Sequence, residues 1–324
     1  MRDTDPLAGR RIVDAHDDDA LERAVSILRA GGLVALPTET VYGLAADPRQ
    51  PEALRNVFRV KGRPADHPLI LHVESVDRVY TYASSVSSLA RDAIATFWPG
   101  PLTVLLRRTN SVSDLVTGGR DTVAVRCPAN VFFRSVIENV DSGLAAPSAN
   151  RFGHVSPTRA QHVVDDLGSS VDLVVDDGPC KWGLESTIID LTTAEPQILR
   201  AGAISQEDLE DILDVKFQGS SGPSRASGML ASHYAPRASV LLAKSLEEAR
   251  QIEGEFRENG GRIRILEHVD DLPMYAATLY SQLRQADYEG CQAVVAVVPP
   301  PIGLGSAIVD RLMKASVKPY GQSD

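Results

Sequence analysis

Residues Gln218–Arg237 read QGSSGPSRASGMLASHYAPR, and this stretch divides the chain. Gly, Ser and Pro dominate it and no apolar period runs through it, as in an interdomain tether. The chain beyond Arg237 is regular. Val240–Ala243 reads as a strand, Ser245–Asn259 as a charged helix, Arg262–Leu266 as a strand, Asp271–Tyr288 as a long helix, Ala293–Val298 as a strand and Ser306–Ala315 as a helix. That βαβαβα order predicts a small parallel α/β unit.

Upstream the pattern is less orderly. Ala20–Ala30 places Ala20, Leu21, Ala24, Ile27 and Leu28 on one helical face and ends at Gly31-Gly32. Ala53–Val60 and Ser88–Phe97 are the next helices, broken by Lys61-Gly62-Arg63-Pro64 and Trp98-Pro99-Gly100-Pro101. Strand-like runs are Leu33–Leu36, Leu69–Val73, Leu102–Leu106, Thr122–Arg126, Leu144–Ala146, Leu173–Val175, Thr187–Leu191 and Gln197–Arg200. Because helices and strands do not alternate, a mixed sheet with helices against it is expected rather than a doubly wound parallel one.

The chain has 324 residues, enough for two domains, and 43% hydrophobic with 23% charged residues is ordinary for a globular protein. The formal net charge of −10 argues against a whole-protein basic footprint for nucleic acid. Cys127, Cys180 and Cys291 lie far apart without a Cys-x-x-Cys, which gives neither a zinc site nor a disulfide framework and fits a reducing compartment. The acidic stretch Met1–Asp19 has no apolar signal core, and no apolar run approaches the ~18 residues of a membrane span. A cytoplasmic, soluble protein without membrane attachment is expected.

The phosphate-loop, zinc-protease, nucleophile-elbow and kinase signatures are absent. Gly303-Leu304-Gly305 follows a strand and opens a helix, but a third glycine and an acidic ribose partner are missing, so a structural turn is the reading. Lys61-Gly62-Arg63 sets two cations two residues apart on irregular backbone. An Arg fork can hold phosphate oxygens there while Lys adds a point charge, although cations at a helix end also suit the macrodipole. Ala146-Pro147-Ser148-Ala149-Asn150, Thr38-Glu39-Thr40 and Gly183-Leu184-Glu185-Ser186-Thr187 offer small residues and hydroxyls beside strands, as ligand contacts or as polar turns. Together they set hydroxyls and cations at the ends of several strands, a common place for ligands. His67 and His72 flank Leu69–Leu71 as proton carriers or structural residues. Arg126 ends the run Val123–Val125 and needs an anion, from the fold or from a ligand.

The ordered series is long. It runs through Pro37–Leu44 (PTETVYGL), Lys61–Pro64 with Pro68-Leu69-Ile70, Trp98–Thr103, Val125–Pro128, Pro147–Asn150 with Ser156-Pro157-Thr158, Glu185–Asp190, Ile198–Gly202, His233–Pro236 and Gly303–Ile308. In that order the segments resemble the threonylcarbamoyl-AMP synthase (YrdC/YwlC) family in its long two-domain form. The resemblance implies an α/β fold. A YrdC-like catalytic domain over residues 1–217 is a twisted mixed sheet with helices and a concave face. A linker over 218–238 leads to a smaller Rossmann-like parallel α/β domain over 239–324.

The implied activity is that of a nucleotidyltransferase making L-threonylcarbamoyladenylate and pyrophosphate from L-threonine, bicarbonate or CO2, and ATP with Mg2+. The product feeds threonylcarbamoyladenosine modification of tRNA at position 37 through a downstream transferase. By the same resemblance Lys61, Arg63, Ser148 and Asn150 line the nucleotide region, and Arg63, His67, Thr122, Ser148, Ser156, Arg200 and Tyr234 contact ATP. Thr40, His72, Arg126, Ala146 (through its backbone) and Ser186 hold threonine, and no residue is assigned to a metal. His67 departs from the Asn that many members carry. The segment with His233 and Tyr234 is a candidate lid over the pocket, against a passive tether. Two other readings stand beside this one: an RNA-binding or ribosome-maturation module whose concave face holds double-stranded RNA, and a carbamoyl-transfer domain of the hydrogenase-maturation kind; a weak RNA contact is also a candidate partner interaction of the synthase itself.

Overall fold

The computed structural model describes residues 12–219, 234–266, 268 and 270–317. Its first sheet orders the strands Ile12–Asp14, Leu173–Asp176, Val34–Leu36 and Gly43–Ala45. The second orders Gln218–Gly219, Gln197–Arg200, Thr187–Asp190, Leu102–Arg108, Thr122–Arg126, Ile70–His72 and Leu144–Ala145, with Ala83–Ser85 added to the strand Leu102–Arg108. Both are mixed: Thr187–Asp190 runs parallel to Leu102–Arg108, which runs antiparallel to Thr122–Arg126. Ala46 and Ala145 exchange backbone hydrogen bonds of 3.0 Å each, joining the sheets into one twisted surface.

Local chemistry sets the helix ends. Pro51–Lys61 starts on a proline, buries Leu54, Val57 and Phe58, and stops at Gly62, whose φ of 64° is the left-handed conformation glycine tolerates. Helices Val131–Val140, Ala160–Leu167 and Gln206–Leu213 and strands Ile12–Asp14 and Gly43–Ala45 go beyond the elements expected from the sequence. The two eight-residue helices span little more than two turns and the strands one alternation, whereas Val131–Val140 is as long as Ser88–Phe97 and carries an amphipathic pattern that the sequence reading passes over. Asn130 caps the first of these helices by accepting from Phe133 N at 2.9 Å.

The tether is shorter at its start than expected. Gln218–Gly219 pairs in parallel with Gln197–Ile198 as an edge strand, because the run after helix Gln206–Leu213 returns to the sheet. Residues 220–233, including His233, lie outside the described residues.

The C-terminal unit is the expected parallel sheet. Ser239–Ala243 and Ile263–Leu266 flank Ala293–Val297, so the last strand lies centrally. Its faces alternate with period two. Ala293, Val295 and Val297 meet helix Leu246–Glu258, while Val294 and Ala296 meet helices Leu272–Tyr288 and Leu304–Ser316. Those two helices share a core with Val41, Val155 and Leu184 of the N-terminal unit. The approach is close: a Cβ on Gly183 would lie 2.5 Å from the backbone of Ala276 and Ala277. No helix among the described residues is long and apolar enough to cross a membrane.

Candidate active site

The large sheet has two unlike faces. Leu71, Val104, Leu106, Val123 and Val125 enter the main core, while Ile70, Leu105, Ala124, Ile188 and Leu199 form an apolar patch on the opposite, concave face. Strand alternation carries His72, Arg126, Thr103 and Ser186 along the rows of that concave face. His72 and Arg126 are register partners. Over this floor the segments around Tyr42 and Ser148 pair, through Leu44 N to Pro147 O and Ala149 N to Tyr42 O, each at 2.8 Å. The result is a narrow cleft with a cavity volume of about 50 Å³. Thr40, Arg63, His72, Arg126, Ala146, Ser148, Ser186, Arg200 and Tyr234 all line it.

One end is built around Arg126. Its guanidinium donates to Thr40 Oγ1 at 2.8 Å, to Glu39 Oε1 at 2.7 Å and to the Gly100 carbonyl at 3.2 Å. The fold itself therefore supplies the anion this strand-end arginine needs. Glu39 also accepts from Ala129 N at 3.0 Å, which fixes its carboxylate. His72 stacks on Phe133 with centroids 5.2 Å apart, and its Nδ1 is buried without a hydrogen-bond partner. Burial, then the adjacent Arg126 charge, drives the His72 pKa down to about 3, so the imidazole is neutral. The Ala146 N–H donates to Ile70 O at 2.9 Å, and Ser186 Oγ lies 2.7 Å from Thr103 Oγ1.

The other end gathers cations. Arg200 donates to the Ser186 carbonyl and hydroxyl, each at 3.0 Å. Arg63 donates to His67 O at 3.3 Å and Pro68 O at 2.9 Å, and lies over the Phe152 ring at 5.7 Å. Burial lowers the Arg63 pKa to about 10, which leaves it charged at neutral pH. Tyr234 is 1% exposed and forms part of the wall.

Five expected residues stand outside the lining. Lys61 lies behind it: its buried ammonium donates to Ser148 O at 2.5 Å and to Asn150 O. Burial, then the Arg63 charge, lowers its pKa well below the usual lysine value. Asn150 uses its amide on Arg151 O and His154 O, both 2.8 Å. Ser156 donates to Glu185 Oε1 at 2.6 Å. His67 meets Phe152 edge-on at 5.4 Å, and burial followed by the Arg63 charge lowers its pKa. Thr122 shares the concave face with Arg126, four residues and about 13 Å along the strand.

Known proteins match along the same span. The family described as telomere recombination, uniting Sua5, YciO and YrdC, matches residues 26–202, and the one described as the threonylcarbamoyl-AMP synthase C-terminal domain matches 204–317. The threonylcarbamoyl-AMP synthase of Pyrococcus abyssi is 37% identical over 90% of this chain and 93% of its own length. The chain belongs to the threonylcarbamoyl-AMP synthase family. The Bacillus subtilis threonylcarbamoyl-AMP synthase is 33% identical over 95% of this chain and 97% of its own. A crystal structure of P. abyssi Sua5 complexed with L-threonine matches with a TM-score of 0.86 at 36% identity, covering 91% of this chain and 94% of that one.

Three site residues carry no functional assignment from sequence. Glu39 and Glu185 sit inside motifs that mark the threonylcarbamoyl-AMP synthase family, and an arginine needing an anion is the signal that points to Glu39. Arg311 gives no signal, since its partner Glu185 is 126 residues away. Magnesium expected with ATP finds no donor set in this family member. Glu39 is bound to Arg126 and Glu185 to Arg311, and no group of three or more His, Cys, Asp or Glu residues is disposed to hold a metal among the described residues.

Proposed function

We propose that the cleft binds L-threonine at its Arg126 end and ATP at its Arg63–Arg200 end, and forms threonylcarbamoyl-AMP and pyrophosphate with bicarbonate or CO2. The observation that carries this is the convergence of Arg63, Arg126, Ser148 and Arg200, from four separate stretches, on one cleft. The threonine ammonium gives one proton to bicarbonate or water, and the free amine adds to CO2 and releases a second proton to solvent, leaving the carbamate. A carbamate oxygen then attacks the α-phosphorus of ATP, and pyrophosphate leaves. Neither step needs a protein nucleophile; both need like-charged reactants held together over positive charge.

Thr40, His72, Ala146 and Ser186 complete the threonine subsite around Arg126. His67, Thr122, Ser148, Ser156 and Tyr234 extend the nucleotide subsite, and magnesium enters on the triphosphate. Lys61 and Asn150 act by fixing the Ser148 loop. The same reading divides the chain into a catalytic domain (1–217), a linker (218–238) and a C-terminal domain (239–324), with Gln218–Gly219 belonging to the catalytic sheet. The product supplies the tRNA threonylcarbamoyl transferase in the cytoplasm. The test is threonine-dependent pyrophosphate release from ATP in bicarbonate, with the product identified by mass. Release that does not depend on threonine would refute the reading.

A further inference from the structure

The nucleotide end of the cleft is completed from the C-terminal unit. Arg311, on helix Leu304–Ser316, is 1% exposed. Its Nε donates to Glu185 Oε2 at 2.8 Å and its Nη2 to Ala201 O at 2.9 Å, while its guanidinium carbon lies 4.9 Å from the Tyr234 ring centroid. Tyr280, on the neighbouring helix, donates to Glu185 Oε2 at 2.9 Å and stacks on Tyr234 with centroids 5.6 Å apart. Glu185 and Tyr234 are both walls of the cleft.

We propose that Arg311 is a positioning residue for ATP, acting from the C-terminal domain: it fixes Glu185 and Tyr234 and so leaves Arg200 aimed along the cleft. This rests on the synthase reading. The physical reason is charge balance. The two C-terminal helices bury the Glu185 carboxylate, and a buried carboxylate needs a cation. Burial alone would raise its pKa, but the Arg311 and Arg200 charges and the Ser156 hydrogen bond bring it down to about 2, so it stays ionised. With Arg311 in place, Arg200 stays on the Ser186 carbonyl and hydroxyl. Without Arg311, the remaining cation that lowers the Glu185 pKa is Arg200, and the carboxylate draws it away from the triphosphate. Tyr234 loses the guanidinium from its face in the same step and keeps its stack on Tyr280. Lysine does not substitute, because a point charge cannot serve Glu185, Ala201 O and an aromatic face together. The backbone offers no slack: a Cβ on Gly202 would lie 2.4 Å from Glu185 O and Thr187 N.

The experiment compares the full chain with Arg311→Lys, Arg311→Met and the pair Arg311→Met with Glu185→Gln. ATP and threonine affinities are measured separately by titration calorimetry, alongside thermal melting and mass identification of the product. Arg311→Lys keeps a cation beside Glu185 and is expected to fold, with ATP affinity weakened about 10-fold and threonine affinity within about two-fold. Arg311→Met weakens ATP further. If it does not fold, the double variant, which removes the buried charge together with its partner, is read instead and still binds ATP more weakly than the wild type because the guanidinium is gone from the Tyr234 face. Wild-type ATP affinity in the folded variants, or equal loss of both ligands, overturns the proposal. A wild-type protein that binds ATP but forms no threonine adduct overturns the synthase reading, while the affinities still decide the role of Arg311.

Discussion

Replacing His72 by glutamine removes a proton-binding site that only the unfolded chain uses near neutral pH. The imidazole is 3% exposed, stacked on Phe133 and paired across the sheet with Arg126. Burial and the Arg126 charge lower its pKa from 6.5 to about 3. An imidazole depressed on folding contributes stability that is present above its unfolded pKa and is lost as pH falls towards its folded one. Between pH 7 and pH 5 the unfolded chain takes up this proton and the folded chain does not, which lowers the unfolding free energy by about 2 kcal/mol. His162, lowered by burial to about 4, adds a similar loss, but it is present in both proteins and cancels in the comparison. Urea unfolding of the wild type and His72→Gln at pH 7 and pH 5 reads the difference directly. The variant should lose about 2 kcal/mol less than the wild type over that interval. Equal losses in the two proteins would refute the placement of His72 as a buried neutral group.

The same geometry sets three further outcomes. Lys61→Ala and Arg63→Ala should each cut turnover at least about 100-fold, because one unfastens the Ser148 loop and the other removes charge from the phosphate end; wild-type rates in both would refute the phosphate-site assignment. Arg126→Lys should raise the threonine KM about 10-fold or more while the ATP KM moves less than about two-fold, since a lysine cannot bridge Thr40, Glu39 and a substrate carboxylate together. Arg284 joins the two units through Asp166 at 2.8 Å and Val155 O, so Arg284→Ala should cost about 2–3 kcal/mol and split the calorimetric unfolding into two steps. A single transition at the wild-type temperature would show that this ion pair does not couple the units.

The legible parts of this fold are those written locally. The βαβαβα order of the C-terminal unit is readable because each strand and helix is long enough to show its own period. Gly303-Leu304-Gly305 reads correctly as a structural turn: Gly303 has a φ of 57°, and a Cβ on Gly305 would lie 2.1 Å from Pro300 O. Lys61-Gly62-Arg63 is ambiguous for a physical reason. A helix C-terminus and a phosphate site both favour cations, and spacing cannot tell which way the left-handed turn at Gly62 sends the Lys61 amine. The pairing of Arg126 with Glu39 spans 87 residues and that of Arg311 with Glu185 spans 126, and neither contact has a periodicity to betray it. Helix Val131–Val140, which supplies the Phe133 platform for His72, is legible in principle: it is as long as Ser88–Phe97, Asn130 caps it, and it buries Phe133, Val136, Ile137 and Val140 on one face.

The two ends of the cleft solve opposite electrostatic problems. At the Arg126 end the fold already supplies Glu39, so the pair is close to neutral before any substrate arrives. A guanidinium has five N–H donors, and three of those on Arg126 are taken by Thr40, Glu39 and Gly100, which leaves two for a carboxylate on a fork that is already oriented. At the other end Arg63 and Arg200 line the cleft with Glu185, while Arg311 pairs with both Glu185 and Asp310, so the proposed phosphate end keeps an excess of positive charge. On the proposed assignment, the amino acid adds to a preset, balanced site and the polyanion to an unbalanced one, which would orient the two reactants without a covalent intermediate. The thiols are consistent with this division. Burial pushes Cys127 up to about 11 and raises Cys180 as well, so neither supplies a thiolate at neutral pH. The rate then depends on how firmly the guanidiniums are held. That makes Glu39 and Arg311 residues through which turnover could be changed although neither is required to touch the reacting atoms.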